Sequence, residues 1–366
     1  MRPSWIAVDL NAIEENARAI SQAVRPAALC AVVKADGYGH GDVPVAEAVL
    51  RGGATWLAVA LVSEGVRLRE ADIEAPILVL AEPDSGDIPT MLRWNLTPTV
   101  YGEPFAMALG ETADEMVPVH LKVDTGMHRV GADPGEALAL ARFVDQHPNL
   151  WLQAVWTHFA VSEEDRDFTE QQLRDLMAFR KQLDDEGIDL EMMHAANTAG
   201  ALDYPEARLD LVRVGVGLYG LRPAPGVGPG VSLKPAMRVL SRVAYTRRLP
   251  AGARPSYGRH RPLPAAATVA TVPIGYADGV ARRLSSTGGE VLVNGKRYPF
   301  AGAVTMDQIV VDVGDDPVAV GDEVVLLGDD ITAEEWADRL DTINYEIVCD
   351  FGPRLPRVYT GGSHGE

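Results

Sequence analysis

Short apolar runs alternate with longer amphipathic stretches between residues 28 and 220. An apolar run of roughly four to eight residues is typical of a strand covered on both faces, whereas apolar positions about three or four residues apart are typical of a helix. The pattern predicts eight strands, which are Leu29–Lys34, Trp56–Ala60, Ile77–Ala81, Leu96–Tyr101, Val119–Asp124, Trp151–Phe159, Leu190–Ala195 and Leu209–Val216.

The stretches between these runs predict helices, for example Pro44–Arg51, Pro134–His147 and Arg166–Glu186. Strands that alternate with helices favour a parallel sheet, and eight such units favour closure into a (β/α)8 barrel of the TIM type. An open, doubly wound sheet is the alternative fold, and the fairly even length of the eight units argues against it.

The pattern changes after Tyr219, where residues 220–230 form a Pro- and Gly-rich segment typical of a domain linker. We expect a barrel over residues 8–228 and a mostly β domain over residues 229–366. The opening strand Ile6–Leu10 is expected to pair with the second domain, which residues 1–7 would then join. Apolar runs without long helices predict the strands of that domain, which are Met237–Leu249, Ala267–Pro273, Glu290–Val293, Gln308–Val313 and Glu323–Leu327.

Composition narrows the class of protein. The 366 residues exceed one typical core, and the net charge of −19 argues against nucleic acid or an anionic membrane surface as a partner. No apolar stretch approaches the ~20 residues of a membrane span, and the first residues lack the apolar core of a signal peptide. Cys30 and Cys349 lie far apart, so neither a disulfide framework nor a metal site is expected. We expect a cytoplasmic enzyme that acts on small molecules.

Polar residues stand at or near the carboxyl ends of five of the predicted strands. In a (β/α)8 barrel these ends meet at one face and carry the active site. A single residue of this kind is often structural, but five such strand ends predict a site at that face. The residues are Lys34 on the first strand, Lys122 and Asp124 on the fifth, His158 on the sixth, Asn197 and Thr198 after the seventh, and Arg213 on the eighth.

The positions after strands seven and eight are where such barrels commonly bind phosphate. Asn197-Thr198 supplies a hydroxyl there, and Gly215-Val216 supplies unhindered backbone N–H groups. Residues 215–220 also match the GxGxxG dinucleotide fingerprint. That fingerprint must open a helix, whereas a Pro-rich segment follows here, so we expect an anion site and not nicotinamide binding.

Lys34 ends an apolar strand, although lysine is rarely buried without a partner. Burial would lower its affinity for a proton and make it an amine nucleophile. A lysine of this kind beside a phosphate site favours pyridoxal 5'-phosphate held as a Schiff base. A structural lysine paired with Asp36 is the alternative interpretation.

Several motifs along the chain closely resemble those of the alanine racemases. The resemblance begins with the cofactor-lysine motif at residues 31–41 and extends, in order, over both predicted domains. It is therefore specific, and the barrel followed by a mostly β domain that it implies agrees with the hydrophobic pattern. The further motifs are Lys122-Val-Asp-Thr-Gly-Met-His-Arg129, Trp156-Thr-His-Phe159, His194-Ala-Ala-Asn-Thr198, Val212-Arg-Val-Gly215, Ile274-Gly-Tyr-Ala-Asp-Gly279 and Thr305-Met-Asp-Gln308.

The resemblance implies two acid–base residues. Lys34 would bear the cofactor and act as the base on one face of the substrate. Tyr276 would be the opposing base, supplied by the second subunit of a homodimer in which the active site is shared. Since the unperturbed pKa of tyrosine is ~10, Tyr276 needs cationic neighbours, and the resemblance implies a Tyr276–His158–Arg213 chain of hydrogen bonds. Without the resemblance, Tyr276 would be interpreted as a loop tyrosine.

The resemblance also implies the residues that bind cofactor and substrate. Arg213 would face the pyridine nitrogen and keep it unprotonated, because arginine does not release its proton in proteins. Arg129 would lie near the phenolic oxygen of the cofactor and the substrate carboxylate, held in place by Lys122, which is carbamylated in many members. Met306 and Asp307 would contact the substrate from the partner chain. The phosphate would be held by Tyr38, Thr198, Gly215 and Val216, with Asn197 beside them.

The chain departs from the family pattern near its C-terminus. Many members carry a phosphate-binding tyrosine where this chain has Pro353, in Gly352-Pro-Arg-Leu-Pro-Arg357. One phosphate contact is therefore missing or comes from another residue. Threonine at position 198 replaces a frequent serine and conserves the hydroxyl.

The implied activity is interconversion of L- and D-alanine, which supplies D-alanine for peptidoglycan. One alternative is a racemase of broader or different specificity, for example for serine, because a pocket discriminates an added hydroxyl only weakly. A second is a decarboxylase of basic amino acids with the same fold, in which a carboxylate would be expected opposite the pyridine nitrogen. A third is a non-enzymatic carrier of the cofactor, which would not need residues 230–360.

Overall fold

The computed structural model of the chain describes residues 2–362. Those residues form two compact units. We call residues 12–37 and 41–234 the barrel unit, and residues 2–11, 38–40 and 235–362 the β unit. The boundary expected from the sequence, at residues 228–229, lies a few residues earlier in the chain.

The strands are labelled in chain order. Over residues 2–362 they are β1 (Ser4–Asp9), β2 (Ala28–Val32), β3 (Trp56–Val59), β4 (Ile77–Val79), β5 (Thr97–Val100), β6 (Val117–Lys122), β7 (Leu150–Trp156), β8 (Met192–His194), β9 (Leu211–Val214), β10 (Met237–Arg242), β11 (Tyr245–Leu249), β12 (Ala267–Val272), β13 (Glu290–Val293), β14 (Lys296–Pro299), β15 (Ile309–Gly314), β16 (Glu323–Leu327) and β17 (Arg357–Thr360).

The helices follow the same order. They are Leu10–Ala23, Asp42–Arg51, Val62–Glu70, Ile88–Arg93, Glu103–Thr112, Pro134–Gln146, Arg166–Asp185, Thr198–Asp203, Leu284–Thr287, Ala333–Leu340 and Asn344–Cys349. Short 3-10 turns cover Ser85–Asp87, Pro205–Ala207, Val216–Tyr219, Tyr257–Arg259 and Tyr276–Asp278. In the part of the chain that the structure describes, no helix combines the length and the apolar character needed to cross a membrane.

Strands β2 to β9 form one parallel sheet whose order is β8-β7-β6-β5-β4-β3-β2-β9. Its two end strands, β8 and β9, meet through backbone hydrogen bonds. The backbone N–H of Arg213 donates to the carbonyl of Ala196 at 2.9 Å, and the backbone N–H of Asp210 donates to the carbonyl of Met193 at 3.1 Å. The sheet is therefore closed, and the predicted eight-stranded barrel is confirmed over an open doubly wound sheet. All residues of β4 and β9 are buried; β4 is entirely apolar, whereas β9 is apolar except for Arg213.

Each of the eight predicted strands is present, but several end earlier than the sequence pattern indicated. Strand β2 ends at Val32, β6 ends at Lys122 and β7 ends at Trp156. Lys34 and His158 therefore follow their strands and do not lie on them. The apolar run overestimates strand length because Val33 and Phe159 are buried although they follow the last residues of β2 and β7.

The β unit contains a six-stranded sheet of order β14-β13-β16-β10-β1-β17 and a three-stranded sheet of order β11-β12-β15. Strand β1 lies inside the larger sheet, where it pairs antiparallel with β10 and parallel with β17. The mostly β character is as predicted. The sequence pattern missed helix Ala333–Leu340, which begins where the Thr332 hydroxyl accepts a hydrogen bond from the Glu335 N–H.

We expect strand β1 to be essential for the stability of the β unit. Ile6 is fully buried and pairs with both neighbouring strands, so Ile6→Ala should reduce the free energy of unfolding by about 2–5 kcal/mol. Urea unfolding followed by circular dichroism measures this loss. Val358→Ala, in β17 and 47% exposed, is the matched control and should change little. Equal losses for the two variants would contradict the central position of β1.

Candidate active site

A left-handed turn follows strand β2 and begins at Lys34. Ala35, Asp36, Gly37 and Tyr38 have φ between 52° and 57°. Non-glycine residues in this conformation each cost roughly 1–2 kcal/mol, and such strain is concentrated at functional sites. The turn places the partly exposed Lys34 directly after the barrel strand, at the carboxyl-end face.

The carboxylate of Glu64 supports this turn. It accepts a hydrogen bond from the Ala35 N–H at 2.7 Å, and from the N–H groups of Ala60 and Leu61 at 2.8 and 3.0 Å. Glu64 is buried and thus joins the residue after Lys34 to the end of β3. The motifs in the sequence did not indicate this residue; the available signal was a glutamate in the first turn of helix Val62–Glu70, where a carboxylate can accept from the N–H groups that precede the helix.

Four cationic side chains are close enough to affect one another electrostatically at this face of the barrel unit. Burial, and then the positive charges of Arg213, Arg129 and Lys34, lower the pKa of Lys122 to about 7. Lys122 and Arg213 also lie over the ring of Trp156, at 4.6 and 4.4 Å from its centroid. The structure thus brings together cationic residues that the sequence analysis had selected from three different strand ends.

Arg213 is buried, and its hydrogen bonds go to neutral acceptors. One guanidinium nitrogen donates to Nδ1 of His194 at 2.7 Å. Another donates to the carbonyls of Thr157 and Ala195 at 2.8 and 3.0 Å and to Nδ1 of His158 at 3.2 Å. Burial lowers the pKa of Arg213 to about 10, so that the group is still a cation at neutral pH.

His158 is neutral, because burial and then the charge of Arg213 lower its pKa well below the usual value. Its Nδ1 accepts from Arg213, so the proton of the neutral ring is assigned to Nε2. His158 therefore offers Nε2–H as a donor. The hydrogen bond between Arg213 and His158 is the part of the implied Tyr276–His158–Arg213 chain that lies within the barrel unit.

An anion cradle lies between the segments after β8 and β9. Thr198 begins helix Thr198–Asp203, and Val216 begins a 3-10 turn, so the first N–H groups of both have no acceptor within their own helix. The Thr198 hydroxyl accepts from the Gly215 N–H at 3.3 Å, which joins the two segments. Asn197 caps the helix, since its Oδ1 accepts from the Gly200 N–H at 2.9 Å. These donors fit a phosphate group.

Tyr276, Met306 and Asp307 lie on one surface of the β unit. The Tyr276 N–H donates to the carbonyl of Thr305 at 2.9 Å, and the Ala277 N–H donates to the carbonyl of Met306 at 3.1 Å. Tyr276 is 42% exposed and Met306 is 53% exposed, which is unusual for large apolar side chains. The two predicted segments thus form one exposed cluster within the β unit.

Buried Asp278 fixes the turn that carries Tyr276. Its carboxylate accepts from the Gly275 N–H at 2.8 Å, pairs with Arg2, and lies 3.4 Å from the guanidinium of Arg354. The same Arg354 donates to Asp307 at 2.6 Å. One ion-pair network therefore connects the turn with the loop that carries Met306 and Asp307.

Tyr257 lies on the same surface of the β unit as Met306, and the sequence motifs did not indicate it. It is 74% exposed, and Ser256 and Arg259 on either side of it have φ of 66° and 47°. The Ser256 hydroxyl donates to the carbonyl of Ala303 at 2.6 Å, three residues before Met306. The signal in the sequence was a tyrosine in Ser-Tyr-Gly followed by the basic run Arg-His-Arg.

Tyr38 is buried and belongs to the β unit. Burial raises its pKa, and its ring lies 6.3 Å from that of Tyr345. In the same unit Arg357 donates to the carbonyls of Gly352 and Leu355, in hydrogen bonds that hold the backbone on both sides of Pro353. It also donates to the carbonyls of Gly39 and Phe351. The predicted contact of Tyr38 with a phosphate stays a prediction.

A closed barrel with a lysine-bearing strained turn, a cluster of cations and an anion cradle at one face defines a (β/α)8-barrel enzyme with an anionic cofactor. The family described as "Alanine racemase, N-terminal domain" matches residues 8–223, and "Alanine racemase, C-terminal domain" matches residues 236–359. The chain belongs to the alanine racemase family. Members of this family are isomerases that depend on pyridoxal phosphate.

Individual relatives agree over nearly the full length. The alanine racemase of Symbiobacterium thermophilum is 45% identical over 99% of this chain and 98% of its own. A structure of alanine racemase from Clostridium difficile has a TM-score of 0.94 at 35% identity, covering 98% and 96% of the two chains. The Bacillus anthracis alanine racemase with bound L-Ala-P has a TM-score of 0.93 at 35% identity, covering 100% and 96%.

Proposed function

We propose that this protein is a pyridoxal-phosphate-dependent racemase that interconverts L- and D-alanine by a two-base mechanism. The observation that carries the proposal is the convergence of Lys34, Lys122, Arg129, His158 and Arg213, all from family motifs, at one face of the barrel unit. We further propose a cytoplasmic location and, in a bacterium, a supply of D-alanine for peptidoglycan.

The residues present fit the cofactor. The Thr198 hydroxyl and the N–H groups of Gly215 and Val216 would hold its phosphate, and Asn197 would orient that cradle as the helix cap. Arg213 would donate to the ring nitrogen, since a guanidinium keeps its protons. Pyridoxal phosphate, when bound, withdraws electrons and so makes the α-hydrogen of the amino acid acidic.

Lys34 would hold the cofactor through Nζ and carry the α-proton on one face of the substrate. Glu64 fixes the backbone directly after it, so the point from which the Lys34 side chain extends is held relative to the end of β3. Arg129 would bind the substrate carboxylate. The cluster of positive charge favours that anion and disfavours a second positive charge on the substrate amine.

The opposing proton donor would come from the exposed surface of the β unit of a partner subunit in a homodimer. The family resemblance places it at Tyr276, with Met306 and Asp307 contacting the substrate. One observation favours Tyr257 as a second candidate: the backbone on either side of this exposed tyrosine is strained.

Lys122 is proposed to carry a carbamate, formed when a neutral amine adds carbon dioxide and releases a proton. A pKa of about 7 means that much of this amine is neutral at physiological pH, unlike an ordinary lysine. The carbamate would replace one cation by an anion and could orient the guanidinium of Arg129.

Strictness for alanine over serine or other amino acids stays open, because an added hydroxyl is discriminated weakly. A decarboxylase of basic amino acids is disfavoured, because the position opposite the ring nitrogen would hold Arg213 and not a carboxylate. A cofactor carrier would have no use for the exposed tyrosines of the β unit.

Racemisation itself is the first prediction. The cofactor-loaded protein should convert L-alanine to D-alanine and exchange the α-hydrogen with deuterium from solvent, as measured by NMR. Lys34→Ala should reduce both rates about a thousandfold, within the range for a lost acid–base group. Lys181→Ala, at an exposed lysine of helix Arg166–Asp185, is the control and should be unaffected. Absence of exchange in the loaded wild-type protein would overturn the proposed function.

The two tyrosines can be separated by stereochemistry. If a tyrosine is the opposing base, its change to phenylalanine should abolish racemisation but leave deuterium exchange, with retention, for the enantiomer that Lys34 deprotonates. Tyr257→Phe and Tyr276→Phe are each other's control, since only one of them should give this pattern. If both variants racemise at the wild-type rate, neither residue is the opposing base.

The carbamate predicts a spectroscopic signal. Protein equilibrated with 13C-labelled bicarbonate at pH 8 should show a carbamate carbon resonance that is missing in Lys122→Met. The resonance should decrease as the pH falls through about 7, because the protonated amine cannot add carbon dioxide. A resonance that persists in Lys122→Met would show that another amine is modified.

A further inference from the structure

A row of buried polar side chains runs through the barrel interior from Arg213 to the protein surface. Arg213 donates to Nδ1 of His194 at 2.7 Å, and Nε2 of His194 lies 3.1 Å from Nδ1 of His120. Nε2 of His120 lies 3.2 Å from Oε1 of Gln153, whose amide donates to Glu191 at 3.1 Å. Glu191 is exposed, whereas the three residues between it and Arg213 are buried.

Only one direction of hydrogen bonding is consistent with this row. Arg213 can only donate, so Nδ1 of His194 is an acceptor and its proton is on Nε2. Nε2 of His194 then donates to Nδ1 of His120, and Nε2–H of His120 donates to the carbonyl oxygen of Gln153. The amide of Gln153 donates in turn to the carboxylate of Glu191. Each link therefore fixes the tautomer of the next.

Both histidines are suited to this role because they are neutral. Burial lowers the pKa of His120 to about 4, and burial together with the charge of Arg213 lowers that of His194 well below the usual value. The ring of His194 is also stacked on Trp156, with centroids 5.3 Å apart and planes at 15°. The row thus has a defined geometry as well as a defined direction.

The row ends at Glu191, whose carboxylate carries the negative charge that would compensate the Arg213 guanidinium. Within residues 2–362, the hydrogen bonds of Arg213 go to neutral acceptors, and an isolated buried cation is costly. Hydrogen bonds that all point the same way polarise one another. The carboxylate of Glu191 can therefore act on Arg213 through three intervening side chains.

We propose that His120 and Gln153 are positioning residues that hold His194 in the tautomer that binds Arg213, and that Glu191 is the remote counter-charge of this guanidinium. The proposal deepens the proposed function, because Arg213 is the residue assigned to the ring nitrogen of the cofactor. If the row served only to satisfy buried polar atoms, its direction would not affect the reaction.

The test uses the full-length protein loaded with pyridoxal phosphate. In the wild type, 15N NMR should show both His120 and His194 as neutral rings with the proton on Nε2. Gln153→Met removes the acceptor for His120, so both histidines should shift partly to the Nδ1–H tautomer, in which His194 no longer accepts from Arg213. The turnover number kcat should fall on the order of tenfold to a hundredfold with little change in KM, because a misplaced Arg213 affects the reaction more than substrate binding.

A double change restores the direction of the row. With Gln153→Glu and Glu191→Gln together, the new carboxylate accepts from His120 and the new amide donates to it. The Nε2–H tautomers and kcat should then return towards wild-type values. If Gln153→Met does not fold, the double variant alone tests the proposal: wild-type tautomers with wild-type kcat support it, and wild-type tautomers with a low kcat contradict it.

Thr99→Val is the matched control. Thr99 pairs with His120 across β5 and β6, is fully buried, and among the described residues its hydroxyl has no hydrogen-bond partner. Its change should leave both tautomers and kcat unaltered. Wild-type tautomers in Gln153→Met, or shifted tautomers with unchanged kcat, would overturn the positioning role. The tautomers are measured without any reaction, so a protein that does not racemise would overturn the proposed function and leave this test intact.

Discussion

Burial of the Arg213 guanidinium, whose hydrogen bonds within residues 2–362 go to neutral acceptors, is the constraint on which the rest of the site depends. A buried cation must be hydrogen-bonded to be tolerated, and here the acceptors are two backbone carbonyls and two neutral imidazoles. Those acceptors come from the ends of β7 and β8, while Arg213 itself lies on β9. The barrel must therefore be closed between β8 and β9 for Arg213 to reach these acceptors.

The positive charge of Arg213 lowers the pKa values of neighbouring ionisable groups. It helps to keep His158 and His194 neutral and, after burial, is the largest influence lowering the pKa of Lys122. The same excess of positive charge makes the face attractive to phosphate and carboxylate groups, although the whole chain carries a net charge of −19. Overall charge thus argues against polyanionic partners but does not describe the active site.

Much of the barrel could be predicted from the sequence because strands buried on both faces leave a local signal. The apolar runs located all eight strands, and two of the polar residues selected at their ends, Lys122 and Arg213, lie over the same Trp156 ring in the structure. Element ends were less accurate, since burial continues beyond the last residue of a strand, as at Phe159 after β7. The family resemblance added roles for residues such as Tyr276 that periodicity alone would have left as loop residues.

What the sequence did not reveal depends on contacts between distant residues. The left-handed turn at Ala35 and Asp36 contains residues that do not favour it locally, and it relies on Glu64, about thirty residues later in the chain, for support. The direction of the row from Arg213 to Glu191 needs five side chains at defined distances, because a single histidine leaves its tautomer undetermined. The sequence motif thus predicts the chemistry of Lys34, whereas the backbone directly after it is held by the distant Glu64.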